Sequence, residues 1–430
     1  MTTTINVQKR FYLLFIFSIL SITSYAQFSL TGEYRPRFED RHGYKSLFKD
    51  GKETALFISQ RTRINLLYTD KMYSVGFSIQ DIRVWGDSPL SSLNDNSSSF
   101  HEAWAELKFN KKTSLKIGRQ ELSYDDERLF SRSNWNQQGR SHDLALLKWN
   151  PDASFKVNIG LAFNQDKEQT DTRDYTITGN YKSMQFIWGH KDWEKNGLSF
   201  LLINVGNEQF ITVAPNPAVG YTRYSQTVGG RYSYKDASFS LNTAVYLQTG
   251  KDATNRTLDA NYAALDFTLP IDHQWEINPG AEHLSGTATK EISATKTNHS
   301  FTPLYGTAHK FNGSMDYFYS SNHLDNVGLN DIYVNLNYNK QKISASLTPH
   351  IFYSDAKVTN TAKPTESLNN YLGTELDLQI NYKINDKVLF TGGYSQMLAT
   401  RTLEVLKSGN KNNINNWAFL MLTFKPDFIK

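Results

Sequence analysis

A short amino-terminal leader followed by a long row of segments of alternating polarity leaves few folds open to this chain. Lys9 and Arg10 precede an apolar run from Phe11 to Leu20, and Ser24 and Ala26 place small residues where a signal peptidase reads them. Residues 1–26 are therefore expected to be a signal peptide, with 27–430 forming one β domain. The apolar run is too short to cross a hydrocarbon layer of about 30 Å as a helix. Beyond the leader the chain is strand-like almost to its last residue. An exported all-β chain of this kind points to a closed barrel in a bacterial outer membrane, because closure alone satisfies every backbone group in lipid.

The connections alternate in length. Short polar turns fall at 69–71, 110–112, 150–152, 190–196, 235–236, 270–272, 339–341 and 384–386, rich in the Asp, Asn, Gly and Pro that tight turns require. Longer polar stretches lie near 40–52, 86–98, 126–141, 165–179, 207–220, 249–258, 285–328, 355–370 and 399–413. Eight short turns and nine long loops predict a transmembrane antiparallel up-and-down β-barrel of about eighteen strands, with both termini on the periplasmic, short-turn side. Within the strands the period is two. Ile58, Gln60, Thr62, Ile64, Leu66 and Tyr68 share one face, and Ser59, Arg61, Arg63 and Asn65 share the other. Phe424 and Phe428 supply the aromatic that barrel-assembly machinery reads near the C-terminus.

Mean hydropathy of −0.52 would suit a soluble protein, but in a membrane barrel only every second residue meets lipid. The 24 Tyr and 26 Phe fit an interfacial belt. With no Cys, stability must come from the strand ladder. The formal net charge of +4 says little about partners; the positions of the arginines say more.

Arg35 and Arg37, Arg61 and Arg63, and Arg83 each alternate with apolar residues. A charge facing lipid near the bilayer centre costs about 2–4 kcal/mol, so all five are expected to point into the lumen, with Glu33, Glu39, Asp81, Glu102 and Glu106 on the same wall. Rings of Arg favour anions. The richest stretch, 118–143, mixes Arg119, Arg128, Arg132 and Arg140 with Glu121, Asp125, Asp126, Glu127 and Asp143. It suits a loop folded into a wet lumen, and pattern alone equally allows a solvated loop outside.

The Arg119-Gln120-Glu121 triplet, followed by Trp135-Asn-Gln-Gln-Gly-Arg140 and Asp143, resembles the signature of the alginate-export outer-membrane family. The segments Pro303–Phe311, Met315–Tyr319 and Val327–Asp331 are similar to a stretch common in its Bacteroidetes-type members. The resemblance implies an eighteen-stranded barrel with an arginine-rich constriction that passes a polyuronate. It carries over Arg119, Gln120, Glu121, Arg128, Arg140 and Asp143 as pore residues; Arg61 and Arg63 rest on the lumen argument instead.

The expected function is thus an anion-selective outer-membrane channel for an anionic polysaccharide, in export of alginate or a related polyuronate. Uptake of anionic oligosaccharides and a structural or adhesive barrel are the alternatives. Partners expected are the polysaccharide, outer-membrane lipid and periplasmic export components, with no nucleic acid and no cofactor. His299, His309, His323, Asp316 and Asp325 fit no compact ligand spacing, so no metal is expected. An enzyme is not expected either: the chain lacks G-x-S-x-G, H-E-x-x-H and P-loop motifs, and the adjacency of His299 and Ser300 does not make a catalytic pair. The aromatic portion of 285–328, with Tyr305, Phe311, Tyr317, Phe318 and Tyr319, is expected to pack on the rim or fold into the mouth.

Overall fold

The computed structural model describes residues 27–429 apart from 93–96, 212–218, 293–295, 308, 320–321 and 324–325. The expected signal peptide at 1–26 and Asp325 lie outside the described residues. Eighteen long strands succeed one another in chain order. They are β1 (Gln27–His42), β2 (Ala55–Thr69), β3 (Tyr73–Val84), β4 (Ser98–Lys108), β5 (Thr113–Gln120) and β6 (His142–Asp152). Next come β7 (Phe155–Phe163), β8 (Ser183–Trp193), β9 (Asn196–Ile211), β10 (Val219–Lys235), β11 (Ser240–Lys251) and β12 (Thr257–Pro270). The last six are β13 (Trp275–Leu284), β14 (Leu329–Lys340), β15 (Ile343–Tyr353), β16 (Tyr371–Asn385), β17 (Val388–Ala399) and β18 (Asn415–Phe424).

Each strand pairs antiparallel with its chain neighbours, and β1 closes the ring on β18 through pairs such as Arg37 with Met421 and Glu39 with Phe419. Closure leaves no sheet edge. The register of β1 with β2, Gln27 opposite Thr69, puts the start of the chain at the short-turn end. The tail returns to the same end, where Asp427–Ile429 pairs with Leu30 and Thr31 and the Gly32 amide donates to Pro426 O at 2.9 Å. Phe424 faces outward beside Tyr34, their ring centroids 6.1 Å apart.

Alternation sorts the side chains as the sequence suggests. Ile58, Ile64, Phe77, Ile117, Leu147, Leu161, Val245 and Leu247 point out, and Arg35, Arg37, Ser59, Arg61, Arg63 and Gln80 point in. The outward apolar band carries a ring of aromatics at each end. Tyr73, Trp149, Trp193 and Trp275 stand near the short turns, and Trp85, Phe100, Phe163, Phe210 and Tyr224 near the long loops. A helix, α1 (Arg401–Lys407), interrupts the stretch 399–413 that reads as a polar loop in sequence; the Thr400 hydroxyl caps it by accepting from the Leu403 amide.

A ladder closed in this way resists detergent until it is heated. The purified protein is expected to migrate at different apparent masses boiled and unboiled, with strand-dominated circular dichroism in detergent. Identical migration, or a helix-rich spectrum, would contradict the closed barrel.

Candidate functional site: a lumen closed by two inward loops

The inner wall of β1 and β2 carries an arginine ladder. Arg35 and Arg61 are direct cross-strand partners, an arrangement that is repulsive unless opposite charge or carbonyl oxygen lies close. Both are present. Glu33 bonds Arg61 and stands 3.8 Å from Arg35, Glu39 pairs with Arg37 at 2.9 Å, and Glu121 stands 3.6 Å from Arg63. Four arginines thus meet three carboxylates, and Glu39 is also shared with Arg41 at 2.8 Å.

The remaining guanidinium hydrogens go to the loop between β5 and β6. Arg35 donates to Asn134 O at 2.8 Å and to Gln137 Oε1 at 2.9 Å. Arg37 donates to Trp135 O at 2.8 Å and lies 4.0 Å over the Trp135 ring. Arg61 donates to Gln137 O at 3.2 Å and to Asn134 Oδ1 at 2.8 Å. Gln80, held by Arg63, donates to Gln138 O at 3.0 Å. The excursion 133–139 is closed at its base by the Arg140 amide donating to Arg132 O at 2.8 Å. Its carbonyls lie along the ladder as a row of neutral acceptors.

The root of the same loop is apolar. Leu122, Tyr124, Leu129 and Phe130 pack inside the barrel on the inward faces of β6 to β12, among them Leu146, Phe186, Trp188, Ile203 and Tyr246. Phe130 is fully enclosed, 4.9 Å from Phe186 between ring centroids. One sector of the lumen is therefore a dry core rather than a water channel. The loop between β13 and β14 completes the plug. Ser131 N donates to Tyr305 O at 2.9 Å, Tyr305 N to Leu129 O at 3.0 Å and Thr307 N to Glu127 O at 3.0 Å. At Gly306 the loops touch so closely that a Cβ would sit 2.0 Å from Arg128 O, and only glycine fits. Arg128, buried, pairs with Glu282 of β13 at 2.7 Å and donates to Asn312 Oδ1 at 3.0 Å. Further along, the Ser314 and Met315 amides donate to Asp377 and Glu375 on β16, and Trp135 stacks on His309 at 4.0 Å.

The sequence-selected residues thus separate into groups. Arg61 and Arg63 lie on the inner wall but beneath the loop. Gln120 is buried on the inner face, its amide donating to Gly118 O and Leu144 O. Glu121 bonds His101 at 2.8 Å; burial raises its carboxyl pKa, but the His101 bond and charge and then Arg63 lower it, and the balance falls below the ordinary value. Arg128 holds the two loops to the wall.

Arg119 and Asp143 correct the expectation of a pore lining. They share the outward faces of Ile117 and of Ala145 and Leu147, and pair with each other at 2.8 Å on the rim at the long-loop end. Arg83 and Asp81 likewise pair with each other on the outward set of β3, not in the lumen. The cost of an outward charge falls to about 0–1 kcal/mol near the interfaces, so the argument that drives arginines inward lapses at a strand end. Glu33, Glu39, Glu102 and Glu106 do face inward.

Across from the ladder lies a cavity of about 500 Å³. Asp126, Asp266, Glu276, Glu282 and Asp377 line it against Arg231 and Lys310. Sequence reasoning missed this acid-rich wall, although the inward parity of Glu276 and Glu282 on β13 was available to it. The histidines of the long loop do not converge: His309 contacts Asp316 at 3.0 Å, His323 meets Gly328 O, and His299 meets Asp259 O. Among the described residues no group of three or more His, Asp or Glu is arranged to hold a metal. Ser300 donates to Asn326 O at 2.6 Å and makes no bond to His299.

A closed eighteen-strand barrel, apolar outside between two aromatic belts and polar inside with inward-folded loops, is an outer-membrane channel of the porin type. Solved structures share this architecture. They include OccAB4 of Acinetobacter baumannii (13% identity, TM-score 0.59, covering 94% of this chain and 98% of that one) and OccK9 (OpdG) of Pseudomonas aeruginosa (10%, 0.61, 94% and 99%). The outer membrane protein OpdK of Pseudomonas aeruginosa is a third (12%, 0.57, 94% and 99%). At such identities the likeness is one of fold. The chain belongs to the alginate-export family, whose model matches residues 26–404. No curated protein matches it in sequence.

Proposed function

We propose that this channel passes an anionic polysaccharide, a polyuronate carried outward, and that it transports rather than catalyses. The observation that carries the reading is the ladder of Arg35, Arg37, Arg61 and Arg63. Its guanidiniums outnumber the carboxylates that face them; those of Arg35, Arg37 and Arg61 are satisfied by main-chain carbonyls of 134–137, and Arg63 reaches Gln138 O through Gln80. Those carbonyls stand where the carboxylates of a polyuronate would stand. Charge-assisted bonds from Arg to carboxylate are roughly twice as strong as bonds to neutral acceptors, so an entering polyanion can displace the loop. The acid-rich wall opposite repels the same chain and presses it toward the arginines. Membership of the alginate-export family supports the outward direction, with both termini and the short turns in the periplasm.

Planar-bilayer recording tests it. Uronate oligomers are expected to block the current, and neutral glucan oligomers of equal length to block at least about tenfold more weakly. The block should weaken at high salt, where the Debye length shrinks to about 3 Å at 1 M. Equal block by charged and neutral oligomers would overturn the polyanion reading.

A further inference from the structure

Most inward or loop-borne arginines have an acid beside them; Arg140 does not. Among the described residues no carboxylate lies within ion-pair distance of it, although it is half-buried between two loops and the barrel rim. Its Nη1 donates to Gly306 O at 2.8 Å and to Tyr305 O, while Nε and Nη2 make no hydrogen bond among the described residues. Those two nitrogens form one edge of the guanidinium, the edge that grips a carboxylate with two parallel bonds. A pocket of about 210 Å³ opens beside it, lined also by Arg119 with its partner Asp143, and by His142, Asn164, Tyr181 and Tyr305.

A second observation is independent of the first. His142 is buried, 4% exposed, and its Nε2 has no partner among the described residues. Its Nδ1 meets the Tyr181 hydroxyl at 3.0 Å; with that hydroxyl donating, Nε2 carries the ring proton and has nothing to give it to. An unmet buried donor is costly, and because His142 lines the pocket a ligand oxygen that reaches it would recover that cost. The Tyr305 ring stands 5.1 Å from His142 and 5.4 Å from Tyr181, so the pocket is largely polar with aromatic rings on one side, a make-up suited to a charged sugar.

We propose that this rim pocket is a binding site for one carboxylate-bearing pyranose unit at the long-loop mouth of the channel. The carboxylate takes the free Nε–Nη2 edge of Arg140, a ring or hydroxyl oxygen takes the His142 Nε2 proton, and the sugar face lies against the tyrosines. Arg119, neutralised by Asp143, borders the pocket without being the anchor. The proposal rests on the reading of the barrel as a polyuronate channel and adds where the chain is held as it leaves.

The test uses full-length protein in detergent and in bilayers, with Arg140→Lys and His142→Phe. Lysine keeps a cation for the Tyr305 and Gly306 carbonyls but has no two-donor edge; phenylalanine keeps the ring stack but has no Nε2. Titration calorimetry with glucuronate is expected to give binding that the methyl ester and inorganic phosphate reproduce only at least about tenfold more weakly. Each variant should lose a similar factor. In bilayers, block by uronate oligomers added at the long-loop side should shorten in both variants. If wild type and variants bind glucuronate equally while oligomers still block the wild type, the mouth site falls and the channel reading stands. Equal binding of phosphate and glucuronate would overturn the sugar part. If oligomers block from neither side, the channel reading itself fails.

Discussion

Excision of residues 133–139 is expected to raise single-channel conductance several-fold and to bring out a preference for anions. The excursion suits removal because its base is already closed: the Arg140 amide donates to Arg132 O, so two glycines can bridge the cut. Closing a shorter loop changes chain entropy only by about (3/2)RT per logarithmic unit of length. The rest of the plug stays anchored, since Leu129 and Phe130 remain in the dry sector and Tyr305 remains bonded to the loop root. What disappears is the row of carbonyls over Arg35, Arg37 and Arg61, and the one that Gln80 meets beside Arg63. Their guanidiniums then face water, and their field concentrates anions within a low-dielectric wall. The heat-dependent shift in migration should persist, because no ladder bond is cut. Unchanged conductance would mean that the excursion is not the closing element; raised conductance with cation preference would mean that the acid-rich wall governs selectivity.

The strand count, the turn positions and the inward set of β1 and β2 were legible because alternation is a local property with a period of two. The same reasoning misplaced Arg83, since alternation carries no record of depth, and the family motif misplaced Arg119. Ile117 two residues before Arg119 already gave its parity, and the motif should have yielded to it at a strand end. The dry sector left a trace of another kind. Leu198 to Val205 is apolar at nearly every position rather than at every second one, which a strand facing lipid on one side and water on the other has no reason to be. The union of the two loops left none: Phe130 and Tyr305 meet across 175 residues, and the pairing depends on Gly306 allowing a close approach that no periodicity announces. Arg140 was picked out by motif, but its missing acid partner is visible only in three dimensions.

Loss of Arg128 should free the plug without unfolding the barrel. Arg128 and Glu282 lie 2.7 Å apart, both buried, with Asn312 donating to the same carboxylate at 2.9 Å. Removing one partner of such a pair leaves a bare charge in a poor solvent and costs about 3–5 kcal/mol. In Arg128→Ala the cheapest relief is for the loop to lift and admit water, which breaks the bonds of Ser131, Tyr305 and Thr307 between the two loops. Hydrogen exchange at those amides is therefore expected to accelerate by about a hundredfold or more, while the β1 and β18 amides keep their protection. Replacing both partners, Arg128→Met with Glu282→Leu, removes the stranded charge and should restore most of the protection, as apolar substitutes for buried pairs often do. Acid should also rescue the single variant in part, because protonation of Glu282 neutralises what Arg128 no longer does. Equal exchange in Arg128→Ala and wild type would show that the apolar contacts of Leu129 and Phe130 hold the plug alone. A double variant worse than the single one would show that the pair stabilises the closed state beyond the packing it replaces.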